Sequence, residues 1–119
     1  MVSQRAQKLA SDLKQRIGAM LVRDYQSFCS NMLLTISRVE LSADLRLAHV
    51  YISIYGAETE VKLAECFHII MEDKKKIRQE IGRGMTIRHI PDLRFHLDES
   101  LDYVEKIERI LHTLRERKH

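Results

Sequence analysis

Hydrophobic residues recur at intervals of three and four along three stretches of the chain, which is the spacing of an amphipathic helix. The first stretch runs from Gln4 to Arg23, the second from Glu58 to Ile81, and the third follows Ser100. Asp98 or Ser100 can accept hydrogen bonds from the free backbone amides at the start of the third stretch. The pattern therefore predicts three helices, the last of them capped by one of these two side chains.

Alternation of hydrophobic and polar residues marks three further stretches and predicts β-strands. The clearest is Leu45 to Tyr55, and a second, residues 32–41, changes parity near Ser37, which indicates a bulge. The third runs from Met85 to Asp98 and contains the only proline, Pro91. Proline has no amide hydrogen to donate to a sheet, so we expect it to mark a bulge in this strand.

The outward face of the second strand carries two tyrosines, Tyr51 and Tyr55, while Ile52 shares the other face with the core. Exposed aromatic rings on a sheet can stack on unpaired bases. They can equally pack against side chains of a neighbouring strand, and this second interpretation is the more common one. We therefore expect cross-strand packing.

The long second helix contains a lysine where its hydrophobic stripe needs an apolar residue. Lys74 falls between Ile70 and Ile77, and a straight helix would direct its ammonium group toward the core. Burial of an unpaired charge is strongly disfavoured. The sequence thus predicts a kink or break between Asp73 and Lys75.

These elements follow the order helix, strand, strand, long helix, strand, helix, which predicts an α+β fold with three strands and helices on one face. The 119 residues suit a single domain, with a core at about 5–114 and a short charged tail at 115–119. No apolar run reaches the roughly 20 residues of a membrane-spanning helix, and the N-terminal sequence is not that of a secretory signal. We expect a cytoplasmic protein whose two cysteines, Cys29 and Cys66, are reduced thiols.

Charge is concentrated in one segment of the chain. The net charge of the whole is +3, but residues 74–84 alone hold five basic residues and one acid, for a local +4. A nucleic-acid backbone is the natural partner of such a cluster. We predict RNA contacts from this segment and from the basic side of the first helix, through Lys74, Lys75, Lys76, Arg78, Arg83, Arg5 and Lys8.

The histidines and carboxylates do not form a recognisable catalytic or metal-binding motif. His89, Asp92, His96 and Asp98 lie close in sequence, but their spacing matches no standard metal site. We expect no metal, no other cofactor and no small-molecule substrate. An RNA-processing enzyme, with His89 or His96 in acid–base chemistry, stays open as an alternative. So does a protein-interaction domain whose basic cluster serves only solubility.

Three motifs together resemble the ribosome-binding factor A family, bacterial factors of small-subunit assembly. "IPDLRFHLDES" resembles the family's proline, alternating strand and Asp-x-Ser unit, "VELSADLRLAHVYISIYG" its central hairpin, and "RAQKLASDLKQRIGAML" its first helix. The family kinks its long helix at Ala-x-Gly, which Asp73, Lys74 and Lys75 replace here. Lysine charge is therefore expected to contribute more to RNA contact in this chain.

The resemblance implies a type II KH-like fold and a non-catalytic RNA-binding function. It implies association with free small (30S) ribosomal subunits and their rRNA, and we expect the protein to be a monomer. It further implies assistance in the late maturation of 16S rRNA, including its 5′ end region, and a connection with cold adaptation.

Overall fold

The computed structural model of the chain describes residues 3–116. They form an α+β fold in the predicted order, with the long second helix divided in two. The outermost residues of the predicted charged tail, 117–119, lie outside the described residues. The helices are α1 (Gln4–Met20), α2 (Glu60–Glu72), α3 (Lys74–Arg83) and α4 (Leu101–Glu116), and the strands are β1 (Leu33–Leu41), β2 (Leu47–Tyr55) and β3 (Asp92–Leu97).

The three strands form one mixed sheet in the order β1-β2-β3. β1 and β2 are an antiparallel hairpin, whereas β3 returns through α2 and α3 to pair parallel to β2. The register of the hairpin shifts between Ile36 and Arg38, so the predicted bulge in β1 is confirmed. The extra residue lets both halves of β1 keep their pairing with a single partner strand.

The core lies between one face of the sheet and the helices. Val50 and Ile52 of β2 are fully buried, and so are Leu13 and Ile17 on the inner stripe of α1. Tyr55, on the other face of β2, is 61% exposed, and Tyr51 is half-buried. The face assignment read from the alternation of β2 is therefore confirmed.

β3 is shorter than the sequence pattern suggested, and the expectation for its first half was wrong. The segment 85–91 is irregular, and the strand begins immediately after Pro91, at Asp92. The amide of Asp92 donates to the carbonyl of Arg46 at 2.8 Å and so makes the first hydrogen bond in this part of the sheet. Pro91 therefore marks the start of a strand, where its missing amide hydrogen costs no pairing, rather than a bulge within one.

The two cysteines are joined in a disulfide, so the expectation of reduced thiols was wrong. Cys29, in the turns after α1, bonds to Cys66 of α2 with a Cα–Cα distance of 5.5 Å. Both residues are buried. No sequence motif marks this pair, because the two positions meet only when the segment after α1 folds back over α2.

The starts of α1 and α4 follow from local chemistry. Ser3 Oγ accepts the amide of Ala6 at the start of α1, and Ser100 Oγ accepts that of Tyr103 at the start of α4. Of the two predicted caps of the last helix, Ser100 is the one used. α1 continues into a π-helical turn, Leu21–Tyr25. None of the helices in residues 3–116 is long and apolar enough to cross a membrane.

Candidate nucleic-acid interface

The long helix is interrupted at Asp73, which confirms the predicted break. α2 ends at Glu72, α3 begins at Lys74, and Asp73 between them has φ −94° and ψ 14°. The amide of Asp73 donates to the carbonyl of Ile70, closing a tighter turn than an α-helix has. The break lets Ile77 reach the core, where it is fully buried, while Lys74 is exposed.

A buried tyrosine holds this break in place without a glycine or a proline. The hydroxyl of Tyr25, in the π-helical turn after α1, donates to Asp73 Oδ2 at 2.7 Å. Burial of Tyr25, together with the adjacent Asp73 carboxylate, raises the pKa of the phenol far above its usual value. Tyr25 was not singled out by sequence, because nothing in the pattern shows that it meets a residue 48 positions away.

The three lysines that open α3 are exposed and make no ion pair with any residue of the described range. The carboxylates near them are otherwise engaged. Arg23 binds Asp24 through two hydrogen bonds of 2.8 Å and contacts Glu80 at 3.2 Å. The hydrogen bonds from Arg23 hold the pKa of Asp24 below its usual value. Burial opposes this lowering, and the charge of Lys76 adds a smaller contribution to it. We call Lys74, Lys75 and Lys76 the lysine cluster.

The lysine cluster occupies the helix end where positive charge is least favourable. The N-terminus of a helix carries the positive end of its dipole, and acidic residues normally fill its first turn. The first turn of α3 has no acidic residue, and no side chain caps it. An anion bound there would be attracted by both the lysines and the free backbone amides.

The other two basic residues of this segment for which RNA contact was predicted, Arg83 and Arg78, have different surroundings. Arg83 is exposed at the last residue of α3. Arg78 instead donates to the backbone carbonyls of Ile90 and Pro91, at 2.6 Å and 3.1 Å, and lies 3.4 Å from Asp92. Arg78 therefore joins α3 to the segment before β3, and its contact with RNA stays a prediction.

Arg5 and Lys8 lie at the beginning of α1, where they line a groove with two cations that the sequence analysis missed. Arg46 comes from the turn between β1 and β2, and Arg88 from the segment before β3. Arg88 was missed because its segment was taken for a strand, and Arg46 because an isolated arginine beside a turn gives no signal. We call the space between these four side chains the basic groove.

The open face of the sheet carries a connected set of side chains. The guanidinium of Arg38 lies 3.7 Å from the centre of the Tyr51 ring, and Tyr51 stacks on His96 at 4.9 Å. His96 Nε2 is 2.8 Å from His49 Nδ1. The Tyr51 ring thus contacts side chains of both neighbouring strands, in agreement with cross-strand packing. Burial, with nearby His49, lowers the pKa of His96.

The residues considered for a metal site are not gathered into one. His96 contacts His49, Asp92 faces Arg78, and Asp98 lies 3.6 Å from Arg38. Among residues 3–116, no group of three histidine, cysteine, aspartate or glutamate side chains is placed to hold a metal ion.

A mixed three-stranded sheet, with a broken helix between its second and third strands, defines the KH-like class of α+β domains. Comparison with protein families agrees, since the model of ribosome-binding factor A matches residues 5–111. The chain belongs to the ribosome-binding factor A family. It is 37% identical over 113 residues to ribosome-binding factor A of Dictyoglomus thermophilum, a match that covers 95% of this chain and 90% of the relative.

Solved structures of the family share the fold. The crystal structure of ribosome-binding factor A from Thermus thermophilus superimposes with a TM-score of 0.62 at 21% identity, covering 77% of this chain and 93% of that one. A homology model of the Thermus thermophilus protein, fitted into a cryo-EM map of its complex with the 30S subunit, gives a TM-score of 0.59 at 19% identity. That match covers 73% of this chain and 88% of the other.

Proposed function

We propose that this protein is a non-catalytic RNA-binding factor that associates with free 30S subunits in the cytoplasm. In this role it assists the late maturation of 16S rRNA, including the 5′ end region, and acts as a monomer. Membership of the ribosome-binding factor A family supports the ribosomal partner, as does the 30S complex of the Thermus thermophilus relative.

The observation that carries the proposal is the lysine cluster at the uncapped start of α3. Three adjacent ammonium groups at the positive end of a helix dipole repel one another and the helix terminus. Surface charges normally offset such repulsion, yet Arg23 engages the carboxylates of Asp24 and Glu80, and Tyr25 engages that of Asp73. A phosphate backbone would supply the missing negative charge from outside the protein.

The helix break gives this site its shape. Because α2 ends at Glu72, α3 begins as a separate helix, and no side chain caps its first turn. Tyr25 fixes Asp73, so the lysines project from a defined position and not from a flexible loop. Ordering an RNA contact on a rigid element costs less conformational entropy than ordering it on a mobile one.

Sedimentation of a cell extract tests the proposal. The protein should travel with free small subunits and be depleted from polysomes, and purified protein should bind purified 30S subunits without shortening their RNA. A maturation role further predicts that cells lacking the protein accumulate 16S rRNA with unprocessed 5′ ends. Sedimentation at the top of the gradient together with normal 16S ends would contradict the proposal.

A further inference from the structure

The basic groove is a second concave site, at the opposite end of α1 from the lysine cluster. Its volume is about 780 Å³, and α1, the β1–β2 turn and the segment before β3 form its walls. Twenty residues of helix separate Arg5 from Tyr25, which corresponds to roughly 30 Å at 1.5 Å per residue. The groove is therefore too distant to be part of the lysine cluster.

Positive charge converges on this groove from three separate elements. Arg5, Lys8, Arg46 and Arg88 all line it, and none of them forms an ion pair within residues 3–116. By contrast, Arg38 and Lys106 elsewhere on the surface are paired with carboxylates. A cluster of unpaired cations drawn from three elements favours an anionic ligand.

The two carboxylates of the groove cancel only part of this charge. Asp44 accepts the hydroxyl of Ser42 at 2.7 Å and the amide of Arg46 at 3.1 Å within its own turn, and it also attracts the Arg46 guanidinium. The Ser42 bond is the main reason that the pKa of Asp44 is lowered. Asp12 is the second carboxylate, so the four cations leave the lining with a net positive charge.

The groove also has an apolar part, which a site for bare phosphate would not need. Leu9, Leu45 and Ile87 line it beside the cations, and Ile87 is 36% exposed. Leu45 has φ +60°, a backbone conformation that is rare for a branched residue. Such conformations persist where surrounding structure imposes them and are concentrated at functional sites. Here the turn places an apolar side chain between charged neighbours.

We propose that the basic groove holds an unpaired nucleotide of RNA, with its phosphate on the arginines and its base on the apolar side chains. Its volume lies within the range of small-molecule sites, about 300–1,000 Å³. Proteins read RNA mainly through unpaired bases, which can leave a stack and enter a pocket. This inference rests on the proposed RNA-binding function and adds to it a contact specific for single strands.

The first test is a binding titration with a fluorescent, unstructured oligoribonucleotide of about ten nucleotides and with an RNA duplex of the same length. The double variant Arg46→Gln/Arg88→Gln should lose at least tenfold in single-strand affinity at low salt. Its log–log salt slope should fall by about 1.4, which is 0.7 for each lost phosphate contact. Arg109→Gln/Arg115→Gln on α4 removes the same charge far from the groove and should change neither quantity.

The second variant separates a base site from a simple charged patch. Ile87→Ser removes apolar contact but no charge, so it should weaken single-strand binding several-fold while leaving the salt slope and duplex binding unchanged. The inference is overturned if Ile87→Ser binds the oligonucleotide like the wild type. It is equally overturned if the arginine variant weakens single-strand and duplex binding to the same degree.

The same proteins distinguish failure of this inference from failure of the proposed function. If the wild type sediments with 30S subunits but the groove variants bind the oligonucleotide normally, only the groove assignment is wrong. If the groove variants lose oligonucleotide binding but the wild type never sediments with small subunits, the groove stands and the ribosomal function is wrong.

Discussion

The two pairs of packed helices differ sharply in charge. α1 and α3 together hold nine basic and two acidic residues, a net of +7, whereas α2 and α4 hold four basic and seven acidic residues, a net of −3. The helices of each pair pack against each other, so these charges lie on separate sides of the domain. An overall charge of +3 conceals this polarity.

The charges are also satisfied differently on the two sides. On the α2/α4 side, two of the four basic residues are paired, Lys62 with Glu58 at 3.0 Å and Lys106 with Glu60 at 3.1 Å, while Arg109 and Arg115 form no ion pair within residues 3–116. On the α1/α3 side, the lysine cluster and the cations of the basic groove have no such partner in the described part of the chain. Charges that the fold leaves unpaired are the ones available to a polyanion. The α1/α3 side is therefore marked as the binding side by its net positive charge together with its larger set of unpaired cations.

The largest effect is expected from the one covalent link between these sides. The disulfide joins Cys29, in the segment after α1, to Cys66 of α2, 37 residues apart. In the chain-entropy account, closing a loop of this length stabilises the fold by about 4 kcal/mol. The double variant Cys29→Ser/Cys66→Ser should therefore have a free energy of unfolding lower by about that amount.

Urea melts of the oxidised wild type and the double variant measure this difference. The wild type in reductant is the matched control and should resemble the variant. Equal melts for all three samples would show that the segment after α1 is held to α2 by packing alone.

The second effect is on affinity rather than on stability. Lys74→Gln/Lys75→Gln/Lys76→Gln should weaken binding to purified 30S subunits on the order of a hundredfold at about 0.1 M salt, because three phosphate contacts are lost. The log–log salt slope should fall by about two to three. The change lies on exposed side chains and relieves repulsion at the start of α3, so the variant should melt at the urea concentration of the wild type or slightly above it.

The matched control removes the same charge from the acidic side. Lys62→Gln/Lys106→Gln/Arg109→Gln breaks two surface ion pairs, which contribute about 0–1 kcal/mol each to stability. Its affinity for 30S subunits should stay within a few-fold of the wild type. Similar losses in both triple variants would mean that net charge, and not its position, governs binding.

Features that depend on residues close together in the chain could be predicted from the sequence, whereas features that join distant residues could not. The break at Asp73 could be predicted because Lys74 conflicts with an apolar stripe within its own helix. The bulge near Ser37 could be predicted from parity within β1. Both features can be recognised from the pattern of a single short segment of the chain.

The features that sequence reasoning missed depend on residues far apart in the chain. The disulfide spans 37 positions, the Tyr25–Asp73 hydrogen bond spans 48, and the basic groove combines three elements. Residues 85–90 show alternation but no pairing, because β3 first meets β2 at the Asp92–Leu47 pair. Periodicity shows which segments of the chain are amphipathic, whereas strand pairing needs a partner strand in the folded molecule.

The third and smallest effect concerns the tyrosine that supports the lysine cluster. Tyr25→Phe removes a hydrogen bond to a carboxylate, which is worth about 1.5–3 kcal/mol. The raised pKa of Tyr25 also makes a prediction for alkaline pH. Because the folded protein holds the phenol proton more tightly than the unfolded chain, this contribution is complete below about pH 10 and is lost as the pH rises further.

Urea melts between about pH 8 and pH 11 check both statements. The wild type should lose stability above about pH 10 more steeply than Tyr25→Phe, so that the two curves converge. Parallel curves over this range would show that the hydroxyl does not support the Asp73 carboxylate.

The central claim is that the α1/α3 side faces ribosomal RNA and the α2/α4 side does not. Site-specific photo-crosslinking on 30S subunits tests it most directly, with benzoylphenylalanine in place of Gln79 on α3 or of Glu105 on α4, both of which are exposed. Efficient crosslinks to 16S rRNA are expected from position 79, and few or none from position 105. Crosslinks to 16S rRNA mainly from position 105 would contradict it.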